Sequence, residues 1–202
     1  MFTVKRNDFV QKEDVLLMAK KLVTEKGINF SGFAAELYSH SENVAGIAVE
    51  IGLLMNLNLY DVILLAQGGY LHDFGKASID LKILYKDGGL TENEFQLIQG
   101  HPSFGFKTLS DPKYHLEKEI LDIILHHHEK LDGTGYPEGI TDISLYTRII
   151  TIADIYDAIH NKRSYHERKS RDEAVSILKE EHGLDPVIVQ IMTFAVDKGW
   201  ID

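Results

Sequence analysis

Histidines and carboxylates recur in this chain at spacings that suit coordination better than packing. Residues 126–128 are three consecutive imidazoles ending an apolar run, and residues 129–143 form a loop with Gly133, Gly135 and Gly139 around Tyr136-Pro137. Successive helical side chains point about 100° apart, so at most two of the three share a site, most easily where the helix ends. His72-Asp73 closes the apolar run 59–71, and a buried charged pair is costly unless a partner, such as a coordinated cation, offsets its desolvation. Glu36 and His40, at i and i+4 of a helix predicted over 34–56, share one face within reach of one ion or two neighbouring ions. His101 stands before Pro102, at a predicted helix break that can aim a side chain into a site. Asp154 and Asp157 lie three residues apart in an apolar helix over 144–160. One can bind metal while the other holds a ligand histidine.

Glu36, His40, His72, Asp73, His101, His127, His128 and Asp154 are together more donors than one ion accepts. The chain has no cysteine, which excludes disulfides and thiolate sites. Mixed nitrogen and oxygen ligation suits iron or manganese, and zinc less exclusively. Asp73 is placed to bridge two ions.

The elements that must position these groups read as helix, turn, helix, with no alternating strand pattern, so the predicted class is all-α. Residues 12–26 carry an apolar stripe ending at Gly27, which suits a packing helix or a dimer contact. Residues 77–90 are irregular, Thr91 with Glu94 is a capping box for a helix running to His101, and residues 116–128 are helical with Ile120, Ile123, Ile124 and His127 inward. Ser170 with Glu173 is a second capping box, and Asp185-Pro186 opens a final helix. A length of 202 residues suits one domain. The formal charge of -10 argues against binding DNA or RNA polymers, although metal ions and a few basic side chains can still receive a phosphate ester. The start lacks a signal-peptide core, and the longest apolar stretch is interrupted by Glu50. A soluble cytoplasmic protein without membrane contact is expected.

Motifs in a fixed order resemble the HD-GYP family of the HD phosphohydrolase superfamily: HSENVA at 40–45, HDFGK at 72–76, LTENEF at 90–95, His101-Pro102, HHEKLDGTGYP at 127–137, RIITIADIYDA at 148–158 and HGLDP at 182–186. The resemblance covers about residues 36–190. It implies a helical HD-domain bundle with a buried bi- or trinuclear metal centre, and hydrolysis of cyclic di-GMP to linear pGpG or GMP. Carried over by motif, the ligands are His40, His72, Asp73, His101, His127, His128 and Asp154; Glu36 matches the extra carboxylate of members that hold a third ion. Iron or manganese leads, with zinc, nickel or magnesium as further choices. Two-metal chemistry then has an activated water attack phosphorus in line with the departing 3′ oxygen. Asp73 and Lys76 serve catalysis, with Lys76 neutralising phosphate charge and able to protonate the leaving group. Gly135 and Tyr136 line the substrate pocket, Arg163 pairs with a phosphate, and Arg148 and Asp157 support the ligands from behind. Residues 31–202 would form the catalytic domain and 1–30 a helical extension. Asp80 stands where the family often has proline, and Lys162-Arg163-Ser164-Tyr165 replaces its Asp-Arg-Pro-Tyr stretch. His126 is read as a non-ligand. Two alternatives stay open, a hydrolase of another cyclic or linear dinucleotide and a weakly active cyclic dinucleotide sensor. A homodimer or a separate regulatory protein is a possible partner.

Overall fold

Short polar residues start the helices by accepting from the first-turn amides, which have no carbonyl partner of their own. Asn58 accepts from Asp61, Ser144 from Thr147, and Asp185 from Val187 and Ile188; both predicted capping boxes close, Thr91 with Glu94 and Ser170 with Glu173. Each such cap contributes about 0.5–2 kcal/mol. In the computed structural model, which describes residues 10–30, 33–161 and 169–201, the helices are α1 (Lys12–Glu25), α2 (Ala35–Leu54), α3 (Leu59–Leu71), α4 (Leu81–Leu84), α5 (Glu92–Gln99), α6 (His101–Leu109), α7 (Lys118–His126), α8 (Leu145–His160), α9 (Arg171–Glu180) and α10 (Pro186–Asp197). Two 3-10 turns, Phe74–Ser78 and Pro112–Tyr114, complete the set, and no strand occurs among the described residues. The all-α class holds. None of the described helices is long and apolar enough to cross a membrane. Arg163, expected to pair with a phosphate, lies outside the described residues.

Three local readings are refined. The stretch 77–90 contains the short helix α4, capped by Asp80, whose Oδ1 accepts from the Lys82 amide at 2.9 Å. The helix expected to run to His101 ends at Gln99, and His101 opens α6 with Pro102 in its first turn. Proline fits there because the first-turn amides lack intrahelical partners anyway. Arg148 does not support the ligands. Its Nη1 donates to Asp185 Oδ2 at 2.5 Å and ties the start of α8 to the cap of α10.

Helix α2 is the central element, because both of its flanks are apolar. Val44, Ile47, Ala48 and Ile51 pack into a core with Ile149, Ile150, Tyr156, Val175 and Met192 of α8, α9 and α10. Ala45, Val49 and Leu53 pack into a second core with Val15, Ala19 and Val23 of α1, Leu64 and Leu71 of α3, and Ile120 and Ile124 of α7. Burial on both sides explains why α2 lacks a clean polar stripe.

The α2–α3 contact sets the distance between His40 and His72, whose ring centroids lie 5.2 Å apart. A Cβ on Gly69 would come 2.5 Å from Ala45 Cα, so only glycine permits this approach. Gly69→Ala should therefore destabilise the fold by about 1–3 kcal/mol. The urea midpoint measures this, and an unchanged midpoint would show that the two helices can separate without cost.

Candidate metal centre

The donors converge from five helix ends and faces. His40 comes from the buried side of α2, His72 and Asp73 follow α3, His101 opens α6, His127 and His128 follow α7, and Asp154 faces inward from α8. Three groups of donor atoms lie within 4.8 Å of one another: Asp73 with His101, His127 and His128; His40 with His72 and Asp73; and His72 with His127 and Asp154. Asp73 joins two of them through different oxygens. Its Oδ2 lies 3.6 Å from His40 Nε2 and 3.5 Å from His72 Nε2, while its Oδ1 lies 3.1 Å from His101 Nε2 and 3.9 Å from His127 Nε2. Asp154 Oδ1 closes the first side, 3.0 Å from His40 Nε2, and its Oδ2 lies 4.0 Å from His128 Nδ1.

The backbone orients the imidazoles. His72 Nδ1 is bonded to the Gly69 carbonyl at 2.8 Å, His101 Nδ1 to that of Ile98 at 2.8 Å, and His127 Nδ1 to those of Ile123 and Ile124 at 3.2 and 3.1 Å. A neutral imidazole that spends its Nδ1–H on a carbonyl presents a lone pair at Nε2. In His40 the same place is taken by Asp157, whose Oδ2 lies 2.5 Å from Nδ1. Asp157 thus stands behind a donor histidine, as its motif implied. His101 Nε2 and His127 Nε2 then face each other at 3.1 Å. Two lone pairs at that distance repel unless a cation or proton lies between them. His72 Nε2 and Asp73 Oδ1 are likewise buried without a hydrogen-bond partner. These orphaned acceptors, with nitrogen and oxygen donors only, fit divalent cations.

Protonation follows the same arrangement. Burial lowers the pKa of His72, burial and neighbouring imidazoles hold His127 well below its ordinary value, and burial takes His128 down to about 3 against the pull of Asp154. For His40 the burial is outweighed by hydrogen bonds to Asp154 and Asp157, which raise its pKa. Burial resists ionisation of Asp73 and Asp154 too, but Lys76 and His72 around the first, and His40 around the second, keep both well below the carboxylate range. Carboxylates stay charged while three imidazoles stay neutral.

The other expected residues fall into place around this core. Lys76 Nζ donates to Asp73 Oδ2 at 2.6 Å. Glu36 lies one turn before His40 and lines a cavity with His40 and Lys76, outside the three donor groups. His126 turns away, with Nδ1 2.8 Å from Asp122 Oδ1. The Tyr136 ring stacks on His128 with centroids 4.7 Å apart, and its amide donates to the His128 carbonyl at 3.2 Å. Gly135 lets the loop fold back this closely, since a Cβ there would come 2.4 Å from Glu129 Cα. Glu129 is a residue the sequence reading passed over. It is 1% exposed, and its Oε1 accepts from the amides of Glu138 at 2.7 Å and Gly139 at 3.0 Å, which pins the loop. Its position inside the HHEKLDGTGYP motif was the available signal. Asp122 was also passed over; it gathers His126, Ser144 and Thr147, joining α7 to the start of α8. Nothing in its local pattern marks that role.

Two outcomes are expected. In the chelated protein, His72, His127 and His128 take up protons less readily than in the unfolded chain, where imidazole titrates near 6.5. Acidification below that value therefore favours unfolding. His40, with its raised pKa, opposes the trend as a single group. The two carboxylates add a loss only at lower pH, as it falls through their depressed values. The urea midpoint should decline from pH 7 to pH 5, and a flat midpoint would contradict the assigned proton states. Asp157→Asn should weaken metal affinity about 10–100-fold, read by competition with a chromophoric chelator.

A family profile described as the HD domain matches residues 31–188. A cyclic di-GMP phosphodiesterase of Pseudomonas aeruginosa is 38% identical over 164 residues, covering 79% of this chain and 39% of that protein. A 3′3′-cGAMP-specific phosphodiesterase of Vibrio cholerae is 40% identical over 145 residues, covering 70% of this chain and 31% of that protein. The chain thus spans less than half the length of these curated relatives. Among solved structures, an HDG"Y"P protein from Bdellovibrio bacteriovorus superimposes with a TM-score of 0.69 at 20% identity, covering 92% of this chain and 62% of the other, which shows the shared fold. With the profile spanning most of the chain and relatives at 38–40% identity, the protein belongs to the HD-domain family, as a member of its HD-GYP group.

Proposed function

We propose that the chain is a metal-dependent phosphodiesterase that hydrolyses cyclic di-GMP to linear pGpG or GMP. The observation that carries this reading is Asp73, whose two oxygens face two separate sets of buried imidazoles. His40, His72, Asp73 and Asp154 would hold one divalent ion, and Asp73, His101, His127 and His128 a second. Glu36 is the candidate carboxylate for a third. Iron or manganese suits these donors first. Bound ions supply Lewis acidity and neutralise charge on the phosphate.

The chain's own groups do the rest. Asp73, kept ionised, sets the spacing of the two sets of donors. Lys76 projects from the turn after Asp73 into the adjoining cavity, where its ammonium can meet a non-bridging phosphate oxygen and then protonate the 3′ oxygen as it departs. Tyr136, stacked on His128 and lodged by Gly135, steadies that imidazole and is the proposed substrate wall on that side. Arg163 is the proposed guanidinium partner for the second phosphate. Residues 31–202 would carry the catalysis, with residues 1–30 as an extension packed on it through α1, in a cytoplasmic enzyme acting alone, as a homodimer or under a separate regulator.

The 40% identity to a cGAMP-specific enzyme favours one second reading, a mixed cyclic dinucleotide as substrate. Comparing kcat/KM for cyclic di-GMP, 3′3′-cGAMP and cyclic di-AMP on protein loaded anaerobically with Mn²⁺ or Fe²⁺ decides between them. Tight binding without product from any of the three would sink the enzymatic reading and favour a sensor. Asp73→Ala should lose both bound metal and turnover while keeping its far-UV circular dichroism; full activity in this variant would remove Asp73 from the centre. Metal analysis of wild type against Glu36→Gln, reading three ions against two, tests the role of Glu36.

A further inference from the structure

A cavity of about 340 Å³ opens beside the metal centre, within the range of about 300–1,000 Å³ typical of small-molecule sites. At its inner end are Glu36, His40 and Lys76. Its outer walls come from α4, the segment after it, and α5, and they are mostly apolar: Ile83, Leu84, Tyr85, Leu90, Phe95 and Ile98. Leu90 and Phe95 remain 39% and 48% exposed. Large apolar side chains held open to solvent beside a charged centre suit a flat ring more than they suit packing. One further cation, Lys86, lines this outer part. Both oxygens of Glu94 accept from its ammonium, at 2.9 and 2.6 Å, while Glu94 is itself fixed by the Thr91 amide at 2.7 Å. An ammonium has three N–H donors, so this clamp leaves one for the cavity. Both lysines of the lining are paired with carboxylates, Lys76 with Asp73 and Lys86 with Glu94, so they offer the cavity fixed N–H donors rather than an excess of positive charge.

We propose that this cavity seats a guanine base of the substrate, with Phe95 and Tyr85 against its faces and Lys86 toward its O6/N7 edge, so that Lys86 is a specificity-determining residue. The proposal rests on the phosphodiesterase reading, because it assumes the adjoining phosphate at Lys76. Guanine presents two adjacent acceptors on that edge, whereas adenine presents one acceptor beside an amino donor. A lysine held in place therefore favours guanine, and the aromatic walls bind either purine by stacking. The α4–α5 segment then reads the base while the helix ends hold the reacting phosphate.

The test uses the full chain loaded with Mn²⁺ for kinetics, and in chelator to stop turnover for calorimetric binding. Phe95→Ala should raise KM and Kd for cyclic di-GMP about tenfold, with kcat changed far less. Lys86→Met should lower the kcat/KM and affinity ratios of cyclic di-GMP over cyclic di-AMP about tenfold, and Lys86→Arg should restore them. Thermal melting of each variant separates loss of the Glu94 clamp from loss of the base contact, since a merely structural lysine would change melting and leave the ratio alone. If wild type hydrolyses cyclic di-GMP and both variants keep its KM and ratio, the base seat is wrong and the phosphodiesterase stands. If wild type binds without hydrolysing, the reaction is wrong and the Kd ratios still judge the seat. No turnover by the Mn²⁺-loaded chain together with no binding to either the loaded or the chelated chain overturns both.

Discussion

The structure depends on a repulsion that the protein holds in place. Two ionised carboxylates and several imidazole lone pairs are packed into a largely buried space, with His101 Nε2 and His127 Nε2 3.1 Å apart and His72 Nε2 and Asp73 Oδ1 lacking hydrogen-bond partners. Left to itself such a cluster would disperse, since buried acceptors without donors cost free energy. The helical scaffold keeps it together by fixing the outer edge of four of the five rings. Gly69, Ile98, Ile123 and Ile124 supply carbonyls, and Asp157 supplies a carboxylate. His40, His72, His101 and His127 are thereby held from behind and aimed forward, and the stacked Tyr136 ring steadies His128. The pKa directions express the same constraint, because charged carboxylates beside neutral imidazoles are the state in which a cation is the favoured partner.

Most of these donors sit at the ends of helices, and that placement has a physical cause. A residue in mid-helix has its backbone carbonyl and amide occupied and its direction set by the cylinder, whereas the residues beside a terminus leave the cylinder and can turn inward. His72 caps α3, His101 opens α6 and His127 caps α7. His40 and Asp154 are exceptions, drawn from within α2 and α8, both of which are largely buried in the core. The core thus determines their directions as strictly as a terminus would, and the close approach at Gly69 carries α2 toward α3 so that both sets of donors meet.

Around this centre the loop of residues 129–143 and the segment from α4 to α5 divide the work. Glu129 and Gly135 press the first against His128, so Tyr136 acts on an imidazole already committed to the site. The second stands further out, with exposed aromatic and aliphatic side chains and a lysine clamped by Glu94. In this acidic chain the two lysines nearest the centre are each held by a carboxylate, Lys76 by Asp73 and Lys86 by Glu94.

The amino-acid order alone determined the helical class, the capping boxes at Thr91 and Ser170, and seven of the eight candidate donors that the fold brings together, Glu36 standing outside the three groups. Those are local or compositional properties: periodicity, short-range hydrogen bonding, and side-chain types with no partner nearby in sequence. It also singled out Asp73, whose two oxygens face separate sets of imidazoles, and it left His126 outside, because three successive helical residues cannot share one direction. Tertiary structure decided the rest. Arg148 went to Asp185, thirty-seven positions away, and Glu129 became the pin of its loop, because such partners are chosen by how helices pack rather than by spacing along the chain. Which oxygen of Asp73 meets which imidazole, and how far Glu36 stands from them, likewise follows from the approach of α2, α3, α6, α7 and α8, whose contacts connect residues too distant in sequence for any local pattern to record.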